Sequence, residues 1–326
     1  GIGNEDLGWE RELSYNLGTD ISLFDRRLNF TFDIYLKKTT DLVLDASRAP
    51  STGTTSAKEN IGEMENKGLE FQVDGMLVQR NDFYWQVAAT GSMNRNRILK
   101  INSALKKANE DANKVDSKTP LAQYEEGEST TALKVVKSAG IDPATGQEVF
   151  IKLNGERTFE YSADDKFVIG DTEPRFRGTV STNLFYKGFS LYLLGRYECG
   201  AYLYNETRAT KVEGANPKKN ADKRVFDSRW KSPGDIAFYK DIADSDGWGT
   251  NPKHSDRFVE KENVFTLGTV NFGYEFGQNI CSKIGVRNLR VGVNLTDIVR
   301  WSNVKIERGT TYLYSNGFEF TLSTTF

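Results

Sequence analysis

The segment 316–326, NGFEFTLSTTF, alternates between two kinds of side chain. Apolar side chains occupy Phe318, Phe320, Leu322 and Phe326, and apart from one threonine in the apolar row the remaining positions are polar or glycine. A period of two places successive side chains on opposite faces of a β-strand. The segment therefore predicts a strand that lies between an apolar medium and a polar one, and its last residue belongs to the apolar face.

The same period recurs along the chain. In 28–37, for example, Phe30, Phe32 and Ile34 alternate with polar residues. The alternation slips around Gly268, which predicts a β-bulge at that position. Together the pattern predicts nine strands, over about 9–24, 28–43, 66–79, 83–97, 174–186, 189–206, 263–277, 288–298 and 315–326.

The connections between these strands alternate in length. Short polar turns are predicted at 24–27, 79–82 and 186–188, with a slightly longer one at 278–287. Long segments are predicted at about 44–60, 99–171, 208–262 and 299–314. Each hairpin thus has one tight end and one long end, and all the tight ends lie on the same side. Short periplasmic turns and long extracellular loops are typical of transmembrane β-barrels.

A soluble β-sandwich is the alternative, because its strands also alternate. The predicted strands run for about 10–16 residues, whereas soluble strands average about 5–6 and a tilted strand needs about 9–11 to cross a bilayer. Charges are frequent on the polar face, where a wide barrel would expose them to water. Aromatic side chains gather beside the short turns, as a membrane–water interface requires. These features favour the membrane barrel.

An odd number of strands indicates an incomplete barrel. Hydrocarbon cannot satisfy the hydrogen bonds of a sheet edge, so the sheet must close. A barrel with both ends in the periplasm needs an even number of strands. We therefore expect an all-β fold in which residues 1–326 form the C-terminal part of a large antiparallel transmembrane β-barrel. A plugged barrel of about 22 strands fits, with the plug domain and the earlier strands absent from this sequence and Phe326 at the periplasmic rim.

Composition excludes several functions. A net charge of −2 over 326 residues gives no bulk attraction to nucleic acid. The sequence contains no apolar run of about 20 residues, as a transmembrane helix needs, and its start lacks the pattern of a signal peptide. His254, Cys199 and Cys281 are too few for a catalytic triad, a metal site or a disulfide framework. We expect no catalytic residue, no metal and no cofactor.

Several segments resemble the SusC-like (RagA-like) TonB-dependent transporters of Bacteroidota. NIGEMENKGLEF (60–71) and SDRFVEKENVFTLGTVNFGYEF (255–276) are similar to the starts of late barrel strands in that family. KSAGIDPATGQEVF (137–150) resembles a loop hairpin of the family, and its Asp-Pro and Thr-Gly pairs suit a turn. IGDTEPRFRG (169–178) and RWKSPGD (229–235) resemble a strand start and a loop. The resemblance extends from about residue 5 to the C-terminus.

The resemblance implies active import through the outer membrane of a Gram-negative bacterium. A SusD-like surface lipoprotein would capture an oligosaccharide or a peptide, and the TonB complex would act through the missing plug. Outer-membrane lipid would surround the barrel, and a dimer of importer–lipoprotein pairs is a further expectation. Phe326 corresponds to the aromatic residue that the barrel-assembly machinery recognises. The alternative is a porin or a surface-binding barrel without energy coupling.

Two groups of residues are candidates for the site. Aromatic rings in the long loops can stack on sugars or peptides, or contact a lid; these are Tyr202, Tyr204, Trp230, Tyr239 and Trp248. The same rings could instead only pack the loops together. Charged residues on the polar strand face are candidates for lining the lumen, where they could equally only bind the plug; these are Asp74, Arg196, Glu198 and Arg290.

Overall fold

The computed structural model describes residues 7–47, 56–114, 119–216, 218–244, 253–305 and 316–326. Its strands are β1 (Arg11–Leu23), β2 (Leu28–Ser47), β3 (Ser56–Arg80), β4 (Phe83–Ile101), β5 (Ala132–Ile141), β6 (Glu148–Ile151), β7 (Arg157–Thr158), β8 (Lys166–Asp171), β9 (Phe176–Tyr186), β10 (Phe189–Tyr204), β11 (Val259–Glu275), β12 (Asn288–Ser302) and β13 (Gly317–Thr325). Two helices accompany them, α1 (Ser103–Lys114) and α2 (Gln278–Cys281).

The long sheet contains nine antiparallel strands in the order β1-β2-β3-β4-β9-β10-β11-β12-β13. These are the nine predicted strands, so the all-β prediction is confirmed. The expected bulge is also present, because the pairings of β11 with both neighbours shift register between Leu267 and Thr269. Several strands extend farther at the long-loop end than alternation predicted, and β3 starts at Ser56 rather than at about residue 66.

Tight turns join the strands at the opposite end. The turn between β1 and β2 places three consecutive residues, Phe24, Asp25 and Arg26, at positive φ. Lys187 and Gly188 do the same between β9 and β10. The connection between β11 and β12 is longer and contains α2. No helix in the described part of the chain is long and apolar enough to span a membrane.

One face of the long sheet is apolar. The register aligns one residue from each of eight adjacent strands in a row: Ile21, Phe30, Val73, Ala89, Val180, Gly195, Leu267 and Val299. Many large side chains on this face remain exposed, including Ile21 and Val180. A continuous exposed apolar band is what a strand surface needs in contact with lipid tails.

A second, four-stranded sheet lies within the connection between β4 and β9, in the order β7-β6-β5-β8. The resemblance predicted the hairpin of β5 and β6, which pair as expected, but not the sheet around it. In β5, four consecutive residues from Leu133 to Val136 are buried, so the strand does not alternate. β6 and β7 have only four and two residues, which is too short for a periodic signal.

Candidate functional site

The polar face of the long sheet forms a continuous hydrophilic wall. Directly beside the apolar row, the register aligns a row of polar residues from the same eight strands: Asp20, Thr31, Gln72, Thr90, Thr179, Arg196, Thr266 and Arg300. With the apolar face turned to lipid, this row faces the interior of the barrel. A wall without apolar side chains at this level suits a water-filled lumen.

Arg196 has a defined position on this wall. Its guanidinium lies over the bulge residue Gly268, and its Nη2 donates to Oδ1 of Asp297 at 3.0 Å. Asp297 lies in β12 at a positive φ of 51°, at the level where the pairing of β11 with β12 shifts. The two strands therefore place an ion pair on the polar face where their ladder is irregular.

The other predicted lumen residues occupy the same face. Asp74 accepts a hydrogen bond from Asn29 Nδ2 at 3.4 Å, and Glu198 lies opposite Arg177. Arg290 donates to Ser190 Oγ at 3.3 Å. The four residues thus share the hydrophilic wall, while a role in lining a substrate path stays a prediction.

The long connections pack into a compact layer at the other end of the strands. We define the loop layer as 132–171, which carries the second sheet, together with the described residues of 205–258. It has its own core, formed by Ala209, Val212, Tyr239 and Phe258, with Tyr204 and Phe238 packed against it. A short π-helix, Arg208–Glu213, supplies two of these residues. The residues of this core all come from the second segment, 205–258.

A buried ion triad joins these two segments. Arg257 Nη2 lies 2.5 Å from Glu148 Oε2, in β6, and 2.7 Å from Glu213 Oε1, at the end of the π-helix. The three side chains are only 7%, 5% and 2% exposed. Arg257 also donates to the carbonyl oxygen of Phe238 at 2.6 Å. The two carboxylates raise the pKa of Arg257 although burial opposes this, so the guanidinium stays charged.

Arg229 is a second buried cation in the loop layer. Its guanidinium donates to four backbone carbonyl oxygens, at distances of 2.6 to 3.1 Å, those of Val225, Lys240, Val212 and Glu213. Burial lowers the pKa of Arg229, and the nearby Glu213 opposes that effect. Arg229 therefore ties three stretches of loop backbone together.

Trp230 closes the β5–β6 hairpin against the neighbouring loop. Its indole Nε1 donates to the carbonyl oxygen of Pro143 at 2.9 Å. Its ring lies against Gly146, which has a φ of +73° and leaves no room there for a Cβ. Asp142 completes the turn by accepting from the Thr145 hydroxyl at 2.7 Å, a bond that lowers the pKa of Asp142.

Most of the predicted aromatic contacts pack within the loop layer or against it. Trp230 and Tyr239 are only 9% and 6% exposed, and Tyr204 packs edge-on against His254 and Phe258. The ring of Tyr202 rests against Gly170 of β8. Four of the five rings therefore pack the loops, which leaves Trp230 and Tyr239 little surface for a ligand. Trp248 lies outside the described residues.

Two other titratable groups in the layer have shifted pKa values because of burial. Burial raises the pKa of Tyr161 to about 12, so its hydroxyl is protonated at neutral pH. Burial also raises the pKa of Asp256, although the backbone N–H of Ser138 donates to this carboxylate at 2.9 Å. Within the described ranges, histidine, cysteine and acidic residues form no group of three that could hold a metal.

Sequence reasoning did not assign a role to the ion triad. Arg257 lies within a segment that carried the family resemblance, but its partners are 109 and 44 residues away in sequence. No periodicity relates positions so far apart. The Asp256-Arg257 pair just before β11 marks an arginine in the family-like segment, but it does not specify which carboxylates that arginine binds.

Replacing Trp230 with phenylalanine should keep the ring packing and remove the bond to Pro143. We expect a local loss of about 1 kcal/mol, measured as about fivefold faster amide exchange at Gly234 and Asp241. Those two N–H groups donate to the carbonyl oxygens of Pro143 and Gly146. Phe226→Ala, at an exposed ring of the same loop, is the control and should leave both rates unchanged. Unchanged rates in the Trp230 variant would contradict the role assigned to the hydrogen bond between Trp230 and Pro143.

Comparison with known proteins places this architecture in a family. The family described as TonB dependent receptor-like, beta-barrel, matches residues 1–289. The chain is 24% identical to TonB-dependent receptor P39 of Formosa agariphila, over 93% of this chain and 33% of that protein. It is 33% identical to the TonB-dependent receptor SusC of Bacteroides thetaiotaomicron, over 30% of this chain and 10% of that protein.

Solved structures show the same fold. The RagAB peptide transporter superimposes with a TM-score of 0.76 at 22% identity, covering 93% of this chain and 33% of that one. This chain therefore spans about a third of the length of the relatives it matches, and its strands correspond to the C-terminal third of such a barrel. The family consists of outer-membrane receptors rather than enzymes. The chain belongs to the TonB-dependent receptor-like β-barrel family and is part of an outer-membrane barrel.

Proposed function

We propose that this chain forms part of an active outer-membrane importer for oligosaccharides or peptides. A SusD-like lipoprotein captures the cargo at the cell surface, and TonB supplies energy through a plug domain. The observation that carries this proposal is the unbroken polar row across eight strands. A hydrated wall suits the passage of a polar cargo.

Family relatives support the energised form of transport over diffusion. The chain matches receptors whose names state TonB dependence. The matched RagAB structures are of a peptide importer, which favours peptides. The family resemblance of the sequence implies oligosaccharides as well as peptides, so the proposal retains both classes of cargo.

The loop layer supports a surface partner. Its two segments are joined by the Arg257 triad and by Trp230, and they present one packed body at the long-loop end of the strands. A lipoprotein lid can bind one packed loop layer more effectively than it can bind separate loops. The predicted dimer of importer–lipoprotein pairs is part of the proposal.

Uptake in whole cells tests the proposal. The gene that encodes this chain is deleted and then restored, and uptake of fluorescent peptides and of fluorescent oligosaccharides is measured with and without a protonophore. We expect restoration to rescue uptake of one cargo class and the protonophore to abolish it. Uptake that persists in the protonophore would identify a porin-like barrel without energy coupling.

Affinity purification from the same cells tests the partner. The full-length protein is purified in mild detergent, and the proteins present at equal stoichiometry are identified by mass spectrometry. A surface lipoprotein should be recovered with it. Recovery of the barrel alone from cells that import the cargo would contradict the lid.

A further inference from the structure

The lipid-facing side of β2, β3 and β4 changes character near the long-loop end. The register aligns Leu36 with Lys67 and Lys67 with Arg95. In the next row, Lys38 aligns with Glu65 and Glu65 with Arg97. We call Lys38, Lys67, Arg95 and Arg97 the outer basic patch.

The patch belongs to the apolar face and not to the lumen. Strand side chains alternate, and Lys67 and Arg95 are each two residues from Leu69 and Met93, which pair with each other on the apolar face. Arg95 and Arg97 are exposed, as Met93 is. Lys37, one residue from Lys38, points to the opposite face and lies 5.7 Å from the Tyr35 ring.

The patch lies about one bilayer thickness from the short turns. Lys38 is ten residues along β2 from Leu28, with no register shift between them. At a rise of about 3.3 Å per residue and a tilt of about 40°, this spans about 25 Å. An apolar band of about 25 Å is typical of outer-membrane barrels. The patch therefore lies at the headgroup level of the outer leaflet.

The charges of the patch are only partly neutralised. Lys38 Nζ lies 3.0 Å from Glu63 Oε2, and Lys67 Nζ lies 3.7 Å from Glu65 Oε1. Arg95 and Arg97 form no ion pair with any carboxylate of the described residues. Among the described residues, these two guanidinium groups at the membrane border thus have no carboxylate counter-ion.

Acidic residues in the adjacent loop do not supply the missing charge. Arg97 lies near Gly127, which is flanked by glutamates. Of these, Glu125 and Glu128 bind Lys134 at 2.7 and 2.6 Å. Glu126 accepts from the backbone N–H of Ile101. Each of the three glutamates is therefore engaged elsewhere.

A group of aromatic rings lies on the membrane side of the patch. Phe71 and Phe176 stack with centroids 6.2 Å apart, and Phe176 lies 5.3 Å from the ring of Tyr197. Rings of this kind prefer the interface between hydrocarbon and headgroups. Leu69 and Met93, which pair with each other, separate Phe71 from the cationic Lys67 and Arg95 along the strands.

We propose that the outer basic patch binds the phosphate groups of an anionic lipid in the outer leaflet. Guanidinium groups bind phosphate through paired N–H donors, and Arg95 and Arg97 are free to do so. Lys67 adds a third donor directly opposite Arg95. The occupant is a lipid because the same face continues downward as the hydrocarbon-facing band. This inference is independent of the cargo and of TonB.

Native mass spectrometry of the full-length protein in detergent tests this site. The probes are diphosphoryl lipid A and the same lipid after removal of both phosphates. We expect Lys67→Gln combined with Arg95→Gln to weaken binding of the phosphorylated probe by about 30-fold, at roughly a factor of five for each charge. Lys37→Gln is the matched control on the lumen side at the same height, and it should bind like the unmodified protein.

The alternative outcomes overturn the proposal. Equal binding of the phosphorylated and dephosphorylated lipids would show that phosphate is not recognised. A dimer that dissociates in the double variant with lipid binding unchanged would assign the patch to a second copy of the protein. Arg95→Lys alone keeps the charge and should retain most binding, so a loss caused by misfolding can be distinguished.

Discussion

Replacing Arg257 with alanine is expected to destabilise the loop layer by about 3–5 kcal/mol, because it leaves two buried carboxylates without their cation. Glu148 and Glu213 are 5% and 2% exposed, so bulk water solvates neither carboxylate in the intact layer. The carbonyl oxygen of Phe238 would lose its donor as well. The loss should open the contact between the second sheet and the π-helix and leave the membrane-spanning strands intact.

Amide exchange of the full-length protein measures this effect. Protection should fall in β6 and in 208–213, and remain unchanged in β9 and β10. Lys152→Ala is the control, since it breaks the exposed pair with Glu156 and such pairs contribute about 0–1 kcal/mol. Equal protection in the Arg257 variant and the control would contradict the assignment of the triad as a link between the two segments of the loop layer.

A compensating variant separates charge from packing. Arg257→Met combined with Glu148→Leu and Glu213→Leu removes all three charges and keeps most of the volume. Buried ion groups replaced by apolar side chains of similar size often lose no stability. We therefore expect the triple variant to regain most of the protection that Arg257→Ala loses. Failure to regain it would indicate that the shape of the three side chains matters more than their charge balance.

The long sheet was predictable because lipid and water impose a strict period of two. The row that contains Phe30 and the row that contains Thr31 are offset by one residue along each strand. Across eight strands, the first row is apolar or glycine and the second is polar. Where the strands leave the membrane this constraint ends. Residues 56–65 of β3, SAKENIGEME, carry charges on both faces, which is why the predicted start was about ten residues late.

The loop layer was largely hidden from sequence reasoning for a different physical reason. Its stability comes from contacts between distant residues, such as Arg257 with Glu148 and Trp230 with Pro143. Loop aromatics were predicted as candidate contacts for cargo or a lid, and Trp230 and Tyr239 were found in the packing of the layer. The solvent exposure of an aromatic side chain cannot be predicted from its residue type when the long loop that carries it has a core of its own.

Replacing Gly178 with alanine is expected to destabilise the barrel wall by about 3 kcal/mol. Gly178 in β9 pairs with Gly91 in β4 and with Tyr197 in β10. The Tyr197 ring crosses over it, and the hydroxyl donates to the carbonyl oxygen of Thr90 at 2.7 Å. A Cβ on Gly178 would overlap that carbonyl oxygen and press on the hydroxyl. Because a backbone atom cannot rotate away, the ladder between β4 and β9 must shift.

The temperature at which the folded barrel loses its fast mobility on SDS gels measures this change, and it should fall for Gly178→Ala. Gly292→Ala is the matched control, because a Cβ there meets nothing closer than 3.6 Å. Tyr197→Phe removes only the bond to Thr90 and should cost about 1 kcal/mol. Adding Tyr197→Ala to the Gly178 variant should not restore stability, since the overlap with the Thr90 carbonyl remains. Restoration would instead assign the strain to the ring and not to the close approach of the two strands.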